Sequence, residues 1–298
     1  MYPDLKIIVD WHNLNYTILN LKFHNLNHPL VRFLKAYERV LSRRYADLNF
    51  TVTEAMRSFL IRDFKLDPRK IITVYDRPSE KFSPLKNAGE LKSILDSSNE
   101  LFGEYDGEKD KILITSTSFT ADEDFTILVE ALKKLDSILV EKKQDSKVLM
   151  IVTGKGPLKK DFIKAISDYN WEQVIIKDIW LSDDDYPRIL KVADLGISLH
   201  YSSSGLDLPM KIVDLFGSGI PVISMGYPVI SELVRKGKNG LVLDDNRCGD
   251  EMAEKIYDTL YEDRNLFRQL RTGAIEESKR RWNDEWDGKL GERFRLAE

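Results

Sequence analysis

Cysteine, long apolar stretches and an excess of basic charge are what this sequence most lacks. Its one cysteine, Cys248, cannot form an internal disulfide, so nothing indicates an oxidising compartment. No stretch approaches the about 20 apolar residues of a membrane-spanning helix, and we expect no signal peptide at the start. The chain carries 45 Lys and Arg against 49 Asp and Glu residues, which argues against nucleic acid as a partner.

The sequence contains enough apolar residues for two hydrophobic cores, and they lie in strand-like and helix-like segments that alternate along the chain. Hydrophobic residues make up 42% and charged residues 32% of the 298 residues, which excludes general disorder. Strand-like runs such as "LMIV" alternate with segments of helical spacing, and this pattern predicts α/β structure with parallel sheets. We predict a first Rossmann-like domain at 1–78, a linker with one weak helix at 79–110, a second Rossmann-like domain at 111–275 and a terminal helix at 276–298.

The first domain is expected to be incomplete. Residues 1–78 provide only three predicted strands, and the chain is already inside the apolar run "LKIIV" a few residues after Met1. Residues 111–275 provide six predicted strands with intervening helices, which suffices for a doubly wound domain. The terminal segment, with Trp282 and Trp286 one helical turn apart, either crosses back to the first domain or packs on its own.

Ligands of open α/β sheets bind at the carboxyl ends of the strands, so the loops after the strands are the candidate sites. In the first such loop, "TSTSFTADED", the spacing from Thr120 to Glu123 matches a helix capping box. The acidic residues would repel a phosphate, which favours sugar hydroxyls or proton transfer. The candidates here are Ser116, Thr117, Ser118, Asp122 and Glu123.

The second loop, "TGKGPLKK", contains Gly154, Lys155 and Gly156 directly after an apolar strand. Glycines at such a position permit a close backbone approach, either to a ligand or within a simple turn. The third loop, "WLSDDDYP", is interpreted as a capped helix start in which Trp180 either packs in the core or flanks a base.

The fourth loop, "LHYSSSGLDLPMKIVDLFGSG", carries the strongest signal. Small hydroxyl residues and backbone amides precede a helix predicted to start near Leu208, an arrangement that cradles anionic and sugar groups. Asp207, Lys211 and Asp214 are predicted to form one polar stripe on that helix, as a ligand site or as a solvated ion-pair ladder. The donor-site candidates in this loop are Ser202, Ser203, Ser204, Gly205, Leu206, Asp207, Lys211 and Asp214.

Taken in order, these segments resemble glycosyltransferases of the GT-B type, in which two Rossmann-like domains face a cleft. More specifically they are similar to chitobiosyldiphosphodolichol β-mannosyltransferases, above all the fungal ones. The resemblance covers nearly the whole chain, and it is carried by "DWHN" (10–13), "TVTEAMR" (51–57), "VYDRP" (74–78), "TSTSFTADEDF" (115–125), "TGKGPLK" (153–159), "WLSDDDYP" (180–187), the fourth loop to "GIPV" (199–222) and "NGLV" (239–242).

The resemblance implies an inverting transfer of mannose from GDP-mannose to the terminal N-acetylglucosamine of dolichyl-diphosphate chitobiose, with a β-1,4 bond. It also implies the cytosolic face of the endoplasmic reticulum membrane, a membrane surface and other early mannosyltransferases as partners, and no metal or resident cofactor. The family normally begins with a membrane anchor and the first strands of the acceptor domain, and the resemblance starts after these segments. A truncated homologue that binds only nucleotide or a partner protein is therefore the alternative.

Residue roles follow from the same resemblance, with departures. Asp214 stands where related enzymes keep a Glu that holds the nucleotide ribose, and His12 matches a cleft histidine that touches the donor sugar. Ser118 and Glu123 stand at about the places of an Arg and a Lys that clamp the diphosphate in retaining relatives. The cations left for the diphosphate are Lys211 and Lys155.

Overall fold

Two parallel β-sheets organise the computed structural model, which describes residues 6–103, 105–120 and 123–291. The first lobe holds the three strands of one sheet in the order β1-β2-β3. Its elements are β1 (Ile8–Trp11), α1 (Asn15–Phe23), α2 (Pro29–Arg44), β2 (Leu48–Thr51), α3 (Glu54–Phe59) and β3 (Ile71–Thr73), with short helical turns at Leu60–Phe64 and Pro68–Lys70.

The second lobe holds a six-stranded parallel sheet in the order β6-β5-β4-β7-β8-β9. Its elements are α4 (Ala88–Ser97), α5 (Asn99–Phe102), β4 (Lys111–Thr117), α6 (Phe125–Glu141), β5 (Val148–Gly154), α7 (Lys159–Ser167), β6 (Val174–Ile179), α8 (Asp185–Leu190), β7 (Leu195–Ser198), α9 (Met210–Gly217), β8 (Val222–Ser224), β9 (Gly240–Val242), α10 (Gly249–Tyr257), α11 (Arg264–Ser278) and α12 (Trp282–Trp286), with helical turns at Ile230–Glu232, Asp258–Glu262 and Asp287–Gly291.

Helices cover both faces of the second sheet because its central strands are apolar on both sides. Along β4, Leu113 packs with α6 and α10, while its neighbours Ile112 and Ile114 pack with α8 and α9 on the opposite face. Alternation of this kind follows from the two-residue period of a strand, and it explains the continuous apolar runs in the sequence. Within the described residues, no helix combines the length and the apolar character needed to span a bilayer.

The segment predicted as a linker, 79–110, belongs to the core of the second lobe. It forms two helices, α4 and α5, and its apolar side chains Phe82, Ile94, Leu101 and Phe102 are all buried against the second sheet. The linker prediction was wrong because these four apolar residues are spread among polar ones. Composition averages over the segment, whereas packing depends on the few side chains that reach the core.

The helix after β4 starts later than the sequence predicts. Asp124 caps α6 by accepting a hydrogen bond from the Thr126 backbone N–H at 2.9 Å, so the predicted capping box from Thr120 to Glu123 is wrong. The carboxylate of Glu123 is instead bound by side chains from elsewhere in the fold. Tertiary contacts have overridden a local capping preference.

The carboxyl ends of the first sheet face the second lobe. Thr53, just after β2, donates a hydrogen bond to the Leu206 carbonyl at 2.6 Å, and the hydroxyls of Thr17 and Ser203 lie 3.3 Å apart. The Glu232 carboxylate accepts hydrogen bonds from the Tyr75 hydroxyl and from two backbone N–H groups at the start of α3. These contacts hold the carboxyl edge of the first sheet, where ligands of parallel sheets bind, against the second lobe.

The end of the described chain lies on the first lobe. The rings of Trp286 and Phe50 meet edge to face, with 6.4 Å between their centroids, and Leu290 is buried beside them. Arg77 and Glu285 form an ion pair at 2.8 Å with side chains only 14% and 10% exposed. α12 therefore returns from the second lobe and fixes the first lobe against it.

Candidate functional site

The candidate site lies at the switch point of the second sheet. β4 is flanked by β5 on one side and by β7 on the other, so the chain leaves β4 and β7 toward opposite faces of the sheet. The loops after β4 and β7 consequently separate and leave a crevice at the carboxyl edge, the usual ligand position in such sheets. The first, second and fourth of the loops predicted from the sequence border this crevice.

A buried carboxylate and a half-buried ammonium group form the centre of the crevice. Glu123, 2% exposed, accepts hydrogen bonds from the Thr117 hydroxyl at 2.6 Å and from the Ser118 backbone N–H at 3.1 Å. Its other oxygen pairs with Lys211 from the first turn of α9. The Lys211 side chain is 27% exposed, and an ammonium group carries three donors, so it can also serve a ligand on the cleft side.

Two serines of the fourth loop form hydrogen bonds within the loop itself. Ser202 and Ser204 both donate hydrogen bonds to the Asp207 carboxylate, which His200 also contacts. Burial alone would raise the pKa of Asp207, but the hydrogen bonds from His200, Ser202 and Ser204 hold it below its ordinary value. Asp207 is thus an ionised anchor that shapes the loop.

The predicted polar stripe of Asp207, Lys211 and Asp214 on one helix is wrong. α9 begins at Met210, after Pro209, so Asp207 lies in the loop ahead of it. Lys211 and Asp214 do share the helix, one turn apart. Gly205 adopts a left-handed φ of 69°, and a Cβ added to it would meet nothing within 4 Å, so side chains do not crowd the backbone at this point of the loop.

Asp214 ends a chain of hydrogen bonds across the crevice. The Tyr186 hydroxyl lies 2.9 Å from the Ser116 hydroxyl and also bonds the Asp214 carboxyl group. Burial raises the pKa of Asp214 to about 7, and the Tyr186 hydrogen bond offsets only part of that rise. A carboxyl group with this pKa suits hydrogen bonding to hydroxyl groups, as the predicted ribose contact requires.

The raised pKa of Asp214 makes stability depend on pH. The folded state binds this proton more tightly than the unfolded chain, so its contribution is complete below about pH 4 and is lost as the pH rises through about 7. Over this pH range the free energy of unfolding of the wild type should decline by up to about 4 kcal/mol. We expect this decline to be absent in Asp214→Asn, which has no carboxyl group to titrate. Urea denaturation of both proteins at about pH 5 and about pH 8 captures the part of the decline that falls between these values, about 3 kcal/mol, and parallel profiles would contradict it.

The glycines of the second loop serve the packing of neighbouring loops. A Cβ on Gly154 would lie 2.0 Å from the Thr117 carbonyl oxygen, and one on Gly156 would lie 1.8 Å from that of Ser118. Their small size therefore lets the first and second loops meet. Lys155 stands apart, with its Nζ 3.9 Å from the centre of the exposed Trp180 ring.

Replacing Gly154 by Ala is expected to destabilise the fold by about 1–3 kcal/mol or more, because backbone must move to admit the methyl group. Gly288→Ala is the matched control, since a Cβ there meets nothing within 4 Å. Thermal unfolding of the two variants gives the comparison. Equal midpoints would show that the close approach of the two loops does not constrain Gly154.

The first lobe contributes a histidine between two carboxylates. His12, just after β1, has its Nε2 at 3.1 Å from Asp10 and its Nδ1 at 3.8 Å from Asp76. The hydrogen bond to Asp10 raises the pKa of His12, and burial partly opposes this. Burial raises the pKa of Asp76. Because the carboxyl ends of this sheet face the second lobe, the cluster borders the cleft.

The structure thus joins Thr117, Ser118, Glu123 and Lys211 in one cluster and the fourth-loop serines in another. Asp122 lies outside the described residues. Sequence reasoning did not select four residues that contact the site, and these are Asp76, Lys159, Tyr186 and His200. Lys159 pairs with Asp178 at 2.9 Å and lies in the "TGKGPLK" segment, so its charge was a signal that could have found it.

Comparisons with known proteins agree with this architecture. Residues 98–280, more than half of the chain, match the family described as Glycosyl transferases group 1. A Debaryomyces hansenii protein is 51% identical over 98% of this chain and 63% of its own length, and a Candida albicans protein is 47% identical over 95% and 60%. Both carry the name chitobiosyldiphosphodolichol beta-mannosyltransferase, so the resemblance predicted from the sequence is confirmed. The chain spans less than two thirds of the length of these relatives.

Solved structures share the fold at low sequence identity. Anabaena HepE in complex with UDP and glucose superposes with a TM-score of 0.70 at 16% identity, covering 98% of this chain and 72% of that one. Sucrose-phosphate synthase from Thermosynechococcus elongatus gives 0.69 at 13% identity, covering 97% and 67%. The predicted GT-B type of fold, with two parallel-sheet α/β lobes about a cleft, is confirmed. By its family match, the chain belongs to the group 1 glycosyl transferases.

Proposed function

We propose that this chain transfers mannose from GDP-mannose to the terminal N-acetylglucosamine of dolichyl-diphosphate chitobiose, forming a β-1,4 bond at the cytosolic face of the endoplasmic reticulum. The name that these relatives carry supports the acceptor and the sugar. The observation that carries the proposal is the Lys211 ammonium group, which buried Glu123 holds at the switch point and whose side chain is 27% exposed. A fixed cation there suits the diphosphate of a nucleotide sugar.

The donor contacts follow from the geometry of the crevice. Lys211 would bind the diphosphate, with accessible backbone near Gly205 beside it, and Asp214 would bind ribose hydroxyls. Glu123 would keep Lys211 in position, since its carboxylate is too buried to receive a proton from the acceptor. Glu123 thereby changes from a catalytic candidate to a positioning residue.

We assign His12 as the base that takes the proton from the acceptor hydroxyl. Its Nε2 bonds Asp10, so a neutral imidazole holds its hydrogen there and carries a lone pair on Nδ1. At 3.8 Å from Asp76, Nδ1 is beyond direct hydrogen-bond length and can accept the hydroxyl proton. The acceptor oxygen then forms the bond to mannose C1 as the bond to GDP breaks, and the diphosphate leaves with the electron pair toward Lys211.

A pH profile tests this base. As a base, His12 must be neutral, so kcat/KM should fall as the pH drops through its raised pKa. Asp10→Asn removes the largest cause of that rise, and we expect it to move the acid limb of the profile to lower pH. An acid limb that stays in place in Asp10→Asn and persists in His12→Ala would exclude His12 as the base.

The reaction itself is tested with labelled GDP-mannose and a phytanyl-diphosphate chitobiose acceptor. We expect a trisaccharide lipid whose new sugar is released by β-mannosidase, and no transfer from UDP-glucose. Failure of the chain alone, while the Debaryomyces hansenii relative is active in the same assay, would contradict the proposal. Titration with GDP then separates a nucleotide-binding protein from one with only a structural role.

A further inference from the structure

The fourth loop carries an exposed aromatic ring that the proposed donor contacts do not use. Tyr201 follows β7 at the carboxyl edge of the second sheet, and it is 48% exposed. Its ring packs on the buried ring of Tyr227, with 5.7 Å between the two centroids. Tyr227 is itself fixed, because its hydroxyl donates a hydrogen bond to the Asp207 carbonyl at 3.3 Å. Tyr201 is thus an exposed ring on a firm support.

The chain places this ring between the centre of the crevice and the first lobe. On one side, the preceding residue His200 forms a backbone bridge with Glu123. On the other side, the hydroxyl of Ser203 lies 3.3 Å from that of Thr17 in α1. Consecutive Cα atoms are about 3.8 Å apart, so the Cα of Tyr201 lies within about 8 Å of the Cα atoms of both anchored loop residues.

The acceptor hydroxyl has to reach the same region. In the proposed function it lies between the imidazole of His12 and the mannose that is bound next to the diphosphate at Lys211. The first-lobe contact of the fourth loop is made by α1, the helix that directly follows the His12 segment. A sugar held between the proposed base and the donor therefore has Tyr201 as its aromatic neighbour.

The stereochemistry of the two sugars favours the acceptor as the ligand of this ring. In a β-linked N-acetylglucosamine every ring substituent is equatorial, so both faces of the sugar present only C–H groups. In an α-linked mannose the oxygens on C1 and C2 are axial and project from opposite faces. A flat aromatic ring consequently packs closely on N-acetylglucosamine, where it removes apolar surface from water, and poorly on the mannose of the donor.

A guanine base would also stack on a tyrosine, but the proposed ribose contact directs it elsewhere. The Asp214 carboxyl group bonds the hydroxyl of Tyr186, which belongs to α8. α8 follows β6, and two strands, β5 and β4, separate β6 from β7 in the sheet. The base is therefore expected on the α8 side, which leaves Tyr201 to the acceptor.

We propose that the ring of Tyr201 is the platform on which the terminal N-acetylglucosamine of the acceptor stacks. The contact binds this sugar and orients its 4-hydroxyl group toward the centre of the crevice. No proton or electron pair passes through Tyr201, so it is an acceptor-binding residue. The inference rests on the proposed function, which supplies the identity of the acceptor.

Saturation-transfer NMR with N,N′-diacetylchitobiose and GDP tests this contact without mannose transfer. We expect the wild type to bind the disaccharide and to saturate the ring C–H protons of its terminal sugar most strongly. Tyr201→Phe and Tyr201→Trp keep a flat ring and should bind like the wild type. Tyr201→Leu keeps apolar surface without a flat ring and should bind about tenfold more weakly. Tyr45→Leu makes the same change at a tyrosine that is 58% exposed on the first lobe, and it should not alter binding.

Steady-state kinetics of mannose transfer provide the second measurement. In Tyr201→Leu the KM for the lipid acceptor should rise about tenfold, while the Kd for GDP and the KM for GDP-mannose remain those of the wild type. Circular dichroism establishes that the variant is folded. The split between the two substrates separates an acceptor contact from a general loss of structure, which would affect both.

Three results would overturn the inference: no binding of the disaccharide by the wild type, equally tight binding by Tyr201→Leu, or weaker binding of GDP by Tyr201→Leu. The last of these would assign the ring to the nucleotide. Binding of the disaccharide through Tyr201 without mannose transfer would refute only the proposed function. Transfer with an unchanged acceptor KM in folded Tyr201→Leu would refute only the stacking contact.

Discussion

Replacing Lys211 by Ala is expected to lower kcat/KM for mannose transfer by about 10²–10³-fold, as when a fixed group that stabilises transition-state charge is lost. The reason is that Lys211 is the cation at the centre of the switch-point crevice, held by a carboxylate that is almost fully buried. Steady-state kinetics with varied GDP-mannose measure the effect, and circular dichroism establishes that the variant is folded.

Lys236→Ala is the control for this change. Lys236 also pairs with a carboxylate, at 2.8 Å from Asp244, but it is 55% exposed and lies beside β9, at the sheet edge. Glu123→Gln should retain part of the activity, because the amide keeps a hydrogen-bond acceptor near Lys211 while losing the charge. Equal kcat/KM in wild type and Lys211→Ala would remove Lys211 from the donor site.

Replacing Arg77 by Met is expected to destabilise the protein by about 3–5 kcal/mol, because it leaves the Glu285 carboxylate buried without its cation. This pair joins the first lobe to α12, and both side chains are at least 86% buried. The double variant Arg77→Met with Glu285→Leu should lose less than the sum of the two single changes. Urea denaturation of the four proteins gives the coupling energy.

Lys109→Met provides the comparison for Arg77. Lys109 pairs with Asp145 at the same distance of 2.8 Å, but the two side chains are 50% and 91% exposed. Surface pairs of this kind contribute little, so the midpoint of unfolding should not change. A loss at Arg77 no larger than at Lys109 would mean that α12 does not hold the first lobe.

The strands could be predicted from the sequence because a strand that is buried on both faces requires apolar residues along its length. Val148–Gly154 is buried along its whole length and stands out as an apolar run, as do the other central strands. The four loops were found because parallel strands place their carboxyl ends together. These rules need only local pattern, which a single sequence contains.

The roles within the site could not be predicted because they depend on distant partners. Glu123 is 88 residues from Lys211 in sequence, and nothing local indicates that the two form an ion pair. The serines looked like ligand groups, yet Ser202 and Ser204 serve Asp207, whose burial requires hydrogen-bond donors. For Gly154 and Gly156 the sequence left a ligand contact and a simple turn open, and only the structure shows that their small size admits a neighbouring loop.

A structure of the chain with GDP bound is the most direct test of the donor site. We expect a phosphate oxygen of GDP within hydrogen-bonding distance of Lys211 Nζ, the ribose at Asp214, and Glu123 still bound by Thr117. A diphosphate bound at Lys155 beside Trp180 would contradict the assignment of the switch-point crevice as the donor site.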